Sequence, residues 1–218
     1  MKVSASILPS STDKINDIRY IKDLIQRIEN SDSDYLHLDI MDGKFVENKT
    51  WTMGEVIKFS SFITKKLDVH LMVNDPLKYL NDYAMLNTEY YTFHIEAVSD
   101  AKKVIEEIKN VGLKPGIAIN PDTSTNAIKS ILPLIKLVNV MSVVPGKSGQ
   151  SFMESVIPKI EELKRLKEEN GYDYLIEVDG SINAESINYV NDKVDMVVSA
   201  SFLHNFKNMQ EGIDILRG

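Results

Sequence analysis

The order of segments in this chain predicts an α/β fold, a closed (β/α)₈ (TIM) barrel in which residues 1–218 form a single domain. Short β-prone runs alternate with helical patterns eight times, which indicates a parallel sheet with helical crossovers. The length of 218 residues suits eight such units in one domain. No Gly-rich dinucleotide fingerprint follows the first strand, so an open doubly wound sheet is the second choice.

The individual elements follow from hydrophobic periodicity and from the positions of Gly and Pro. Apolar or alternating runs predict the strands Lys2–Leu8, Asp34–Met41, Lys66–Met72, Tyr90–His94, Lys114–Ile119, Leu137–Val143, Tyr174–Val178 and Asp195–Val198. Helical spacing predicts the helices Asp13–Glu29, Glu55–Ser60, Pro76–Ala84, Ala101–Val111, Thr125–Leu132, Met153–Glu169, Ala184–Val190 and Met209–Leu216. Thr12 or Asp13 is the expected N-cap of the first helix.

The composition narrows the classes of function. The chain is 43% hydrophobic and 26% charged, which is ordinary for a soluble protein. Its formal net charge of −7 argues against a nucleic-acid partner. The absence of cysteine excludes disulfides, thiolate nucleophiles and Cys-ligated metals, and it fits a reducing cytosol. We see no signal peptide and no run long enough to span a membrane, so we expect a cytoplasmic protein without a membrane partner.

Polar side chains concentrate at the carboxyl ends of the predicted strands. In the segment YLHLDIMDG, alternation places three apolar residues on one face and His37, Asp39 and Met41 on the other. His70 and His94 also lie at strand ends. A half-exposed edge strand would show the same alternation, but barrel active sites lie where the strands end. The clustering therefore predicts a site at the barrel mouth.

Two imidazoles and two carboxylates are expected to meet at this mouth: His37, Asp39, His70 and Asp179. This set suits a divalent metal such as Zn²⁺, Fe²⁺ or Mn²⁺, held by nitrogen and oxygen ligands only. Each histidine taken alone is more often a hydrogen-bonded core residue. Four ligand-type residues at the ends of three strands favour metal binding.

Methionines and small-residue turns occupy the remaining strand ends. Met41, Met72 and Met141 either pack as ordinary core residues or form a polarizable lining over a reacting carbon. Backbone N–H groups in turns of small residues can hold a phosphate, and three neighbouring turns favour that interpretation over plain turns. The residues of these turns are Gly146, Lys147, Ser148, Gly149, Gly180, Ser181, Ala200 and Ser201.

Six segments carry a resemblance to a known family: SIL (Ser6–Leu8), HLDIMDGKFVEN (His37–Asn48), DVHLMV (Asp68–Val73), TFHIEA (Thr92–Ala97), the loop Met141–Met153 and EVDGSI (Glu177–Ile182). They extend over nearly the whole chain and resemble the ribulose-phosphate 3-epimerases of the pentose phosphate pathway. The resemblance implies a ribulose-phosphate-binding barrel with one divalent metal ion (Zn, Fe, Mn or Co). It also implies a sugar-phosphate substrate, interconversion of D-ribulose 5-phosphate and D-xylulose 5-phosphate, and a homo-oligomer, either a dimer or larger.

Residue by residue, the resemblance implies a role for each member of the site. The metal ligands would be His37, Asp39, His70 and Asp179. The acid/base pair acting at C3 would be Asp39 and Asp179. The sugar would contact Ser6 and His70, and the reacting carbon would be lined by Met41, Met72 and Met141. The phosphate would lie on the small-residue turns named above.

The chain departs from the family pattern in four places, and all lie at the phosphate end that the resemblance implies. Ser181 replaces the second Gly of Val-Asp-Gly-Gly, and Lys147-Ser148 replaces the central pair of Gly-Phe-Gly-Gly. Ala200 replaces the Gly of a Gly-Ser pair, and Val144 replaces an Asn, Asp or Glu. Lys147 is a candidate cation for the phosphate. Val-Asp-Gly-Ser also occurs in allulose-6-phosphate 3-epimerases, so D-allulose 6-phosphate is an alternative substrate. A catalytically silent sugar-phosphate-binding barrel is a second alternative.

Overall fold

Eight parallel strands close into one barrel in chain order, because each strand pairs with its sequence neighbours and the last pairs with the first. The computed structural model describes residues 1–147 and 149–218, apart from the side chain of Thr12, so Ser148 of the expected phosphate turns lies outside the described residues. The strands are β1 Lys2–Ser6, β2 Tyr35–Met41, β3 Leu67–Met72, β4 Thr88–His94, β5 Lys114–Ile119, β6 Leu137–Met141, β7 Leu175–Asp179 and β8 Met196–Ser199. The barrel prediction is confirmed.

Helices and 3-10 turns connect the strands on the outside of the barrel. The α-helices are α1 Ile18–Glu29, α2 Met53–Ser60, α3 Leu80–Ala84, α4 Ala101–Asn110, α5 Ile157–Asn170, α6 Ser201–His204 and α7 Met209–Arg217. The 3-10 turns are Thr12–Lys14, Pro76–Tyr79, Ile95–Ala97, Thr125–Ala127, Leu132–Leu134, Glu154–Val156 and Ser186–Tyr189. None of the helices that the structure describes is both long and apolar enough to cross a membrane.

The first helix begins later than the sequence pattern suggests. Asp17 is its N-cap, and the Asp17 carboxylate accepts hydrogen bonds from the backbone N–H groups of Arg19 and Tyr20 at 3.0 and 3.3 Å. The expectation of a helix from Asp13 capped by Thr12 or Asp13 was therefore wrong. An aspartate that captures two free N–H groups fixes a helix start more firmly than apolar spacing upstream of it.

Two predicted helices form 3-10 turns instead. The segment predicted as Thr125–Leu132 forms turns at Thr125–Ala127 and Leu132–Leu134, and the one predicted as Ala184–Val190 forms Ser186–Tyr189. Pro133 has no N–H with which to continue a helix from Thr125, and helices this short gain little cooperativity. The two crossovers consequently pack their apolar residues in single turns.

The hydrophobic core lies between the barrel and its outer layer. On β2, Leu36, Leu38 and Ile40 are buried in this core, together with the apolar stripe of α1. The alternate residues of β2 point into the barrel, as their contacts below establish. The amino end of the barrel is closed by a second buried cluster of Tyr35, Tyr90, Leu137 and Met196. Aromatic and apolar side chains thus fill the amino end of the barrel.

Candidate active site

Four polar side chains converge inside the carboxyl end of the barrel. His37 and Asp39 lie two residues apart on β2 and therefore share its inward face. On the neighbouring strand β3, His70 is the register partner of Asp39, and Asp179 is the last residue of β7. The His70 Nδ1 atom is 3.2 Å from both Asp39 Oδ1 and Asp179 Oδ2. The His37 Nε2 atom is 3.3 Å from Asp39 Oδ1 and 3.7 Å from Asp179 Oδ2. One ligand atom of each residue lies within 4.8 Å of the others.

This cluster fits a divalent metal ion. The His37 Nε2 atom is buried, faces two carboxylates and has no hydrogen-bond partner among the described residues. A buried ring nitrogen without a partner costs free energy that a coordinated cation would recover. Two imidazole nitrogens and two carboxylate oxygens, with no thiolate, are a donor set suited to Zn²⁺, Fe²⁺, Mn²⁺ or Co²⁺. The four residues are thus positioned to hold a metal ion, whose identity the ligand set leaves open.

The electrostatics of the cluster are those of closely paired opposite charges. Burial alone lowers the pKa of His37, but Asp39 and Asp68 raise it well above its ordinary value. Burial likewise opposes charge on His70, but hydrogen bonds to Asp179 and Asp39 raise its pKa to about 9. Burial raises the pKa of Asp39, yet His37 and His70 hold it well below its usual range. A bound cation would displace the protons of the two imidazoles. It would then supply the positive charge that the carboxylates of Asp39 and Asp179 neutralise.

Asp68 orients His37, and the sequence analysis did not assign it a role. Its Oδ2 atom lies 2.8 Å from His37 Nδ1 and accepts a hydrogen bond from Ser4 Oγ at 2.8 Å. Asp68 is fully buried on β3, two residues before His70. The signal that could have found it is the period-two rule, since a carboxylate at this position shares the inward face with His70. A carboxylate behind a ligating imidazole fixes its tautomer and ring orientation.

A polar layer lies deeper in the barrel, below the four clustered residues. Glu177 and Asn139 are fully buried on neighbouring strands, and their side-chain oxygen and nitrogen atoms have no hydrogen-bond partner among the described residues. Burial, followed by the charge of Asp68, raises the pKa of Glu177 well above its ordinary value. Glu177 precedes Asp179 by two residues, so alternation along β7 also points to it.

The supporting residues of β1 tie Asp39 in place. Ser6 Oγ donates a hydrogen bond to Asp39 Oδ2 at 2.9 Å. The Ser6 carbonyl accepts one from His204 Nε2 at 2.8 Å. His204, the histidine after the last strand, thus connects α6 to β1. Burial lowers its pKa, which keeps the ring neutral.

An open cleft of about 690 Å³, including its mouth, leads to the carboxylates of Asp39 and Asp179. Ser6, Met41, Met72 and Met141 line this cleft. The three methionines are buried, with 6, 2 and 3% of their surface exposed. His37 and His70 are fully buried and contact the two carboxylates from behind.

The small-residue turns line the other end of the same cleft. The described members are Gly146, Lys147, Gly149, Gly180, Ser181, Ala200 and Ser201. Gly180 has φ +126°, and a Cβ atom there would lie 2.7 Å from Val143, so glycine is required. Ser181 has φ +54°, the left-handed region that glycine occupies without strain, and its hydroxyl donates to the Gln150 carbonyl. The structure thus places the two aspartates and the small-residue turns along the same cleft.

The loops after β2 and β6 are joined across the mouth. Asn48 Nδ2 donates to the Gly146 carbonyl at 2.6 Å, and Lys147 Nζ lies 3.6 Å from a Glu47 carboxylate oxygen. A Cβ atom on Gly146 would lie 2.6 Å from the Val46 side chain. These contacts hold Gly146, the neighbour of Lys147, against the loop after β2, and sequence spacing alone gave no sign of them.

The fold and the site together define a class, the (β/α)₈ barrel enzymes with a His/Asp cluster at the strand ends and small-residue turns beside it. The sequence model of the "Ribulose-phosphate 3 epimerase family" matches residues 2–204. Relatives named ribulose-phosphate 3-epimerase from Methanocaldococcus jannaschii and Bacillus subtilis are 36% and 34% identical. Their alignments cover 100% of this chain and 90% and 99% of the relatives. The chain belongs to the ribulose-phosphate 3-epimerase family.

Solved structures support the architecture alone. A tryptophan synthase structure from Mycobacterium tuberculosis matches with a TM-score of 0.68 and 14% identity, covering 99% of this chain and 88% of that one. Phosphoribosylanthranilate isomerase from Thermotoga maritima matches with a TM-score of 0.61 and 13% identity, covering 100% and 99%. At these identities the similarity concerns the barrel and not its chemistry.

Proposed function

We propose that the protein interconverts D-ribulose 5-phosphate and D-xylulose 5-phosphate by a two-carboxylate epimerisation at C3. The observation that carries this proposal is the convergence of Asp39 and Asp179 on His70 Nδ1, each at 3.2 Å, at the floor of an open cleft. The two aspartates come from β2 and β7, which are not neighbouring strands. Two acid/base groups from separate strands are what inversion of one carbon requires.

The proton steps are assigned to these two side chains. One carboxylate removes the C3 proton from one face of the sugar, and the electron pair moves to the C2 carbonyl to give an enediolate. The second group, in its acid form, returns a proton to the opposite face of C3. Burial opposes the charge of Asp39, but His37 and His70 keep its pKa well below the usual range, so Asp39 is ionised as a base must be.

His37, Asp39, His70 and Asp179 are the proposed ligands of the metal. The chemistry left to the metal is Lewis-acid stabilisation of the negative charge that develops on the substrate. Ser6 holds Asp39 by one oxygen, which orients the carboxylate toward the cleft. Ser6 and His70 are also the proposed contacts of the sugar. Met41, Met72 and Met141 supply an apolar, polarizable lining that excludes water from the reacting carbon.

The phosphate is proposed to bind at the far end of the cleft. The described turn residues Gly146, Gly149, Gly180, Ser181, Ala200 and Ser201 line the cleft, and their backbone N–H groups are the proposed phosphate donors. Lys147 would add a positive charge. Anchoring the anionic end positions C3 at the carboxylates, which raises the rate through orientation.

One observation favours keeping D-allulose 6-phosphate as a second candidate substrate. Ser181 occupies a left-handed backbone position beside the proposed phosphate site, where the resemblance predicts glycine. The hydroxyl of Ser181 donates to the Gln150 carbonyl, a hydrogen bond that a glycine at this position could not make. The silent-barrel alternative has no such support, because both Asp39 and Asp179 are in place.

The test is a proton NMR assay in D₂O with the two ketose phosphates measured side by side as kcat/KM. We expect deuterium at C3, appearance of the C3 epimer and the higher kcat/KM with D-ribulose 5-phosphate. A higher value with D-allulose 6-phosphate would move the assignment to that sugar. With added metal, absence of exchange from both sugars would contradict the epimerase proposal.

Removal of the metal tests the Lewis-acid role separately. We expect strong chelation to abolish turnover and an added divalent ion to restore it, while the circular dichroism spectrum stays unchanged because the core packs without the cluster. Elemental analysis establishes that the chelated protein is metal-free. Turnover by such protein would refute the Lewis-acid argument.

A further inference from the structure

A chain of three side chains leads from the metal-ligand cluster to the protein surface. His70 Nε2 is 2.8 Å from His94 Nε2, and His94 Nδ1 is 3.2 Å from Glu96 Oε2. His70 and His94 are fully buried, whereas the Glu96 side chain is 23% exposed. The two imidazole centroids are 5.0 Å apart with an interplanar angle of 29°, so the two nitrogens face each other edge to edge.

Two ring nitrogens at hydrogen-bond distance share one hydrogen, so one must donate and the other must accept. If Nδ1 of His70 is a metal ligand, its proton is on Nε2, and His94 Nε2 must accept it. His94 then carries its own proton on Nδ1, which points at the Glu96 carboxylate. A carboxylate only accepts, so Glu96 allows that tautomer of His94 and no other neutral one.

Glu96 is itself held in a fixed orientation. Its Oε1 atom accepts hydrogen bonds from the Asn120 backbone N–H, at 2.8 Å, and from the Thr123 hydroxyl. Its Oε2 atom is thereby aimed at His94. Burial opposes the charge on Glu96, but the hydrogen bonds from His94 and Asn120 lower its pKa to about 2.

We infer that His94 and Glu96 are positioning residues that hold His70 in the tautomer with a free Nδ1 lone pair for the metal. This inference rests on the proposed metal centre of the proposed function. The two ligating imidazoles are then oriented by different devices, His37 by the buried carboxylate of Asp68 and His70 by a relay that ends at the surface.

Glu96→Gln should reverse the direction of the hydrogen bonds from residue 96 to His70, because glutamine has nearly the same shape as glutamate but can donate. The amide oxygen of the glutamine would take the place of Oε1, because Asn120 and Thr123 both donate there. The amide NH₂ would then donate to His94 Nδ1 and drive the His94 proton to Nε2. Two donors would face each other unless His70 moved its proton to Nδ1, which is the metal-binding atom.

The experiment measures Zn²⁺ affinity by competition with a chromophoric chelator, on the wild type and on folded variants. Loss of a partner behind a metal ligand typically costs about 10–100-fold in metal affinity, and we expect that loss in Glu96→Gln. Glu162→Gln is the matched control, since Glu162 is a partly exposed carboxylate bonded to a threonine hydroxyl and to Lys129, with no route to His70. It should bind Zn²⁺ with wild-type affinity.

A double-mutant cycle separates the relay from a merely structural role of the loop. In a His94→Gln background the side-chain amide can rotate and accept from His70, so Glu96→Gln should no longer weaken Zn²⁺ binding. An unchanged affinity in Glu96→Gln alone, or an equal loss in both backgrounds, would overturn the inference.

The tautomers can also be read directly in the wild type by ¹⁵N NMR of the imidazoles with Zn²⁺ bound. We expect the His94 proton on Nδ1, and a proton on its Nε2 would overturn the inference. The absence of Zn²⁺ binding by the wild type would instead reject the metal centre of the proposed function. The two failures are therefore distinguishable.

Discussion

The two ends of the barrel are built from opposite chemistry. At the amino end, Tyr35 and Tyr90 meet edge to face with centroids 5.5 Å apart and pack on Leu137 and Met196. At the carboxyl end, paired charges converge, and the buried His37 Nε2 atom between two carboxylates has no hydrogen-bond partner among the described residues. The side chains at the amino end are stabilised by packing against each other. At the carboxyl end, a bound cation would supply the partner that the buried imidazole nitrogen lacks. Substitutions at the two ends should therefore separate stability from function.

The largest expected effect is on turnover at the open end. Asp39→Asn and Asp179→Asn should each lower kcat by at least about 10²–10⁴-fold, because an amide cannot transfer the C3 proton. Circular dichroism and thermal unfolding should show a retained fold. The measurement is kcat in the coupled epimerase assay at saturating metal.

The matched control is Asp173→Asn, an exposed aspartate that pairs with Lys136 on the outside of the barrel. Its kcat should equal that of the wild type. Near wild-type turnover in either active-site variant would remove that aspartate from the acid/base pair.

The closed end should show the opposite pattern. Leu137→Ala removes a fully buried side chain beside Tyr35 and Tyr90, and we expect a loss of about 2–5 kcal/mol in the free energy of unfolding. Urea denaturation measures that loss. At a temperature where the variant is folded, kcat should be unchanged. A kcat that falls in proportion to stability would show that the two ends are not independent.

Much of this contrast is predictable from sequence, because strand alternation fixes which side chains enter the barrel. His37, Asp39 and His70 were identified from their spacing at strand ends, and the same rule applied two residues earlier would have found Asp68. The 3-10 turns in place of two helices were not predictable with this rule, since a proline and short segments decided them. The joining of Gly146 to the loop after β2 is a tertiary contact without a local sequence signal.

In chelated protein, the histidines at the carboxyl end of the barrel should make the free energy of unfolding depend on pH. The pKa of His70 is raised to about 9 in the fold, above its ordinary value, so its stabilisation is present below pH 6.5 and lost as the pH rises through about 9. The raised pKa of His37 acts in the same direction. We expect a loss on the order of 2–3 kcal/mol in the free energy of unfolding between these limits, measured by urea titration.

With metal bound the trend should reverse, because protons and the cation compete for the same imidazole nitrogens. His70→Asn should reduce the pH dependence of the chelated protein. A flat stability profile in chelated wild-type protein over this range would show that the cluster does not hold protons as its charges suggest.

The smallest expected effect is at the proposed phosphate end, where Lys147 lies in an exposed pair with Glu47. An exposed ion pair of this kind adds little to stability, so Lys147→Met should leave the unfolding midpoint unchanged. Its charge beside an anionic substrate should matter more, and we expect KM to rise about two- to fivefold with kcat unchanged. The comparison variant is Lys136→Met, which removes a similarly exposed lysine outside the cleft and should leave KM unchanged. Equal KM values in the two variants would exclude Lys147 as a phosphate contact, whereas a fall in kcat for Lys147→Met would mean that its charge also acts in the transition state.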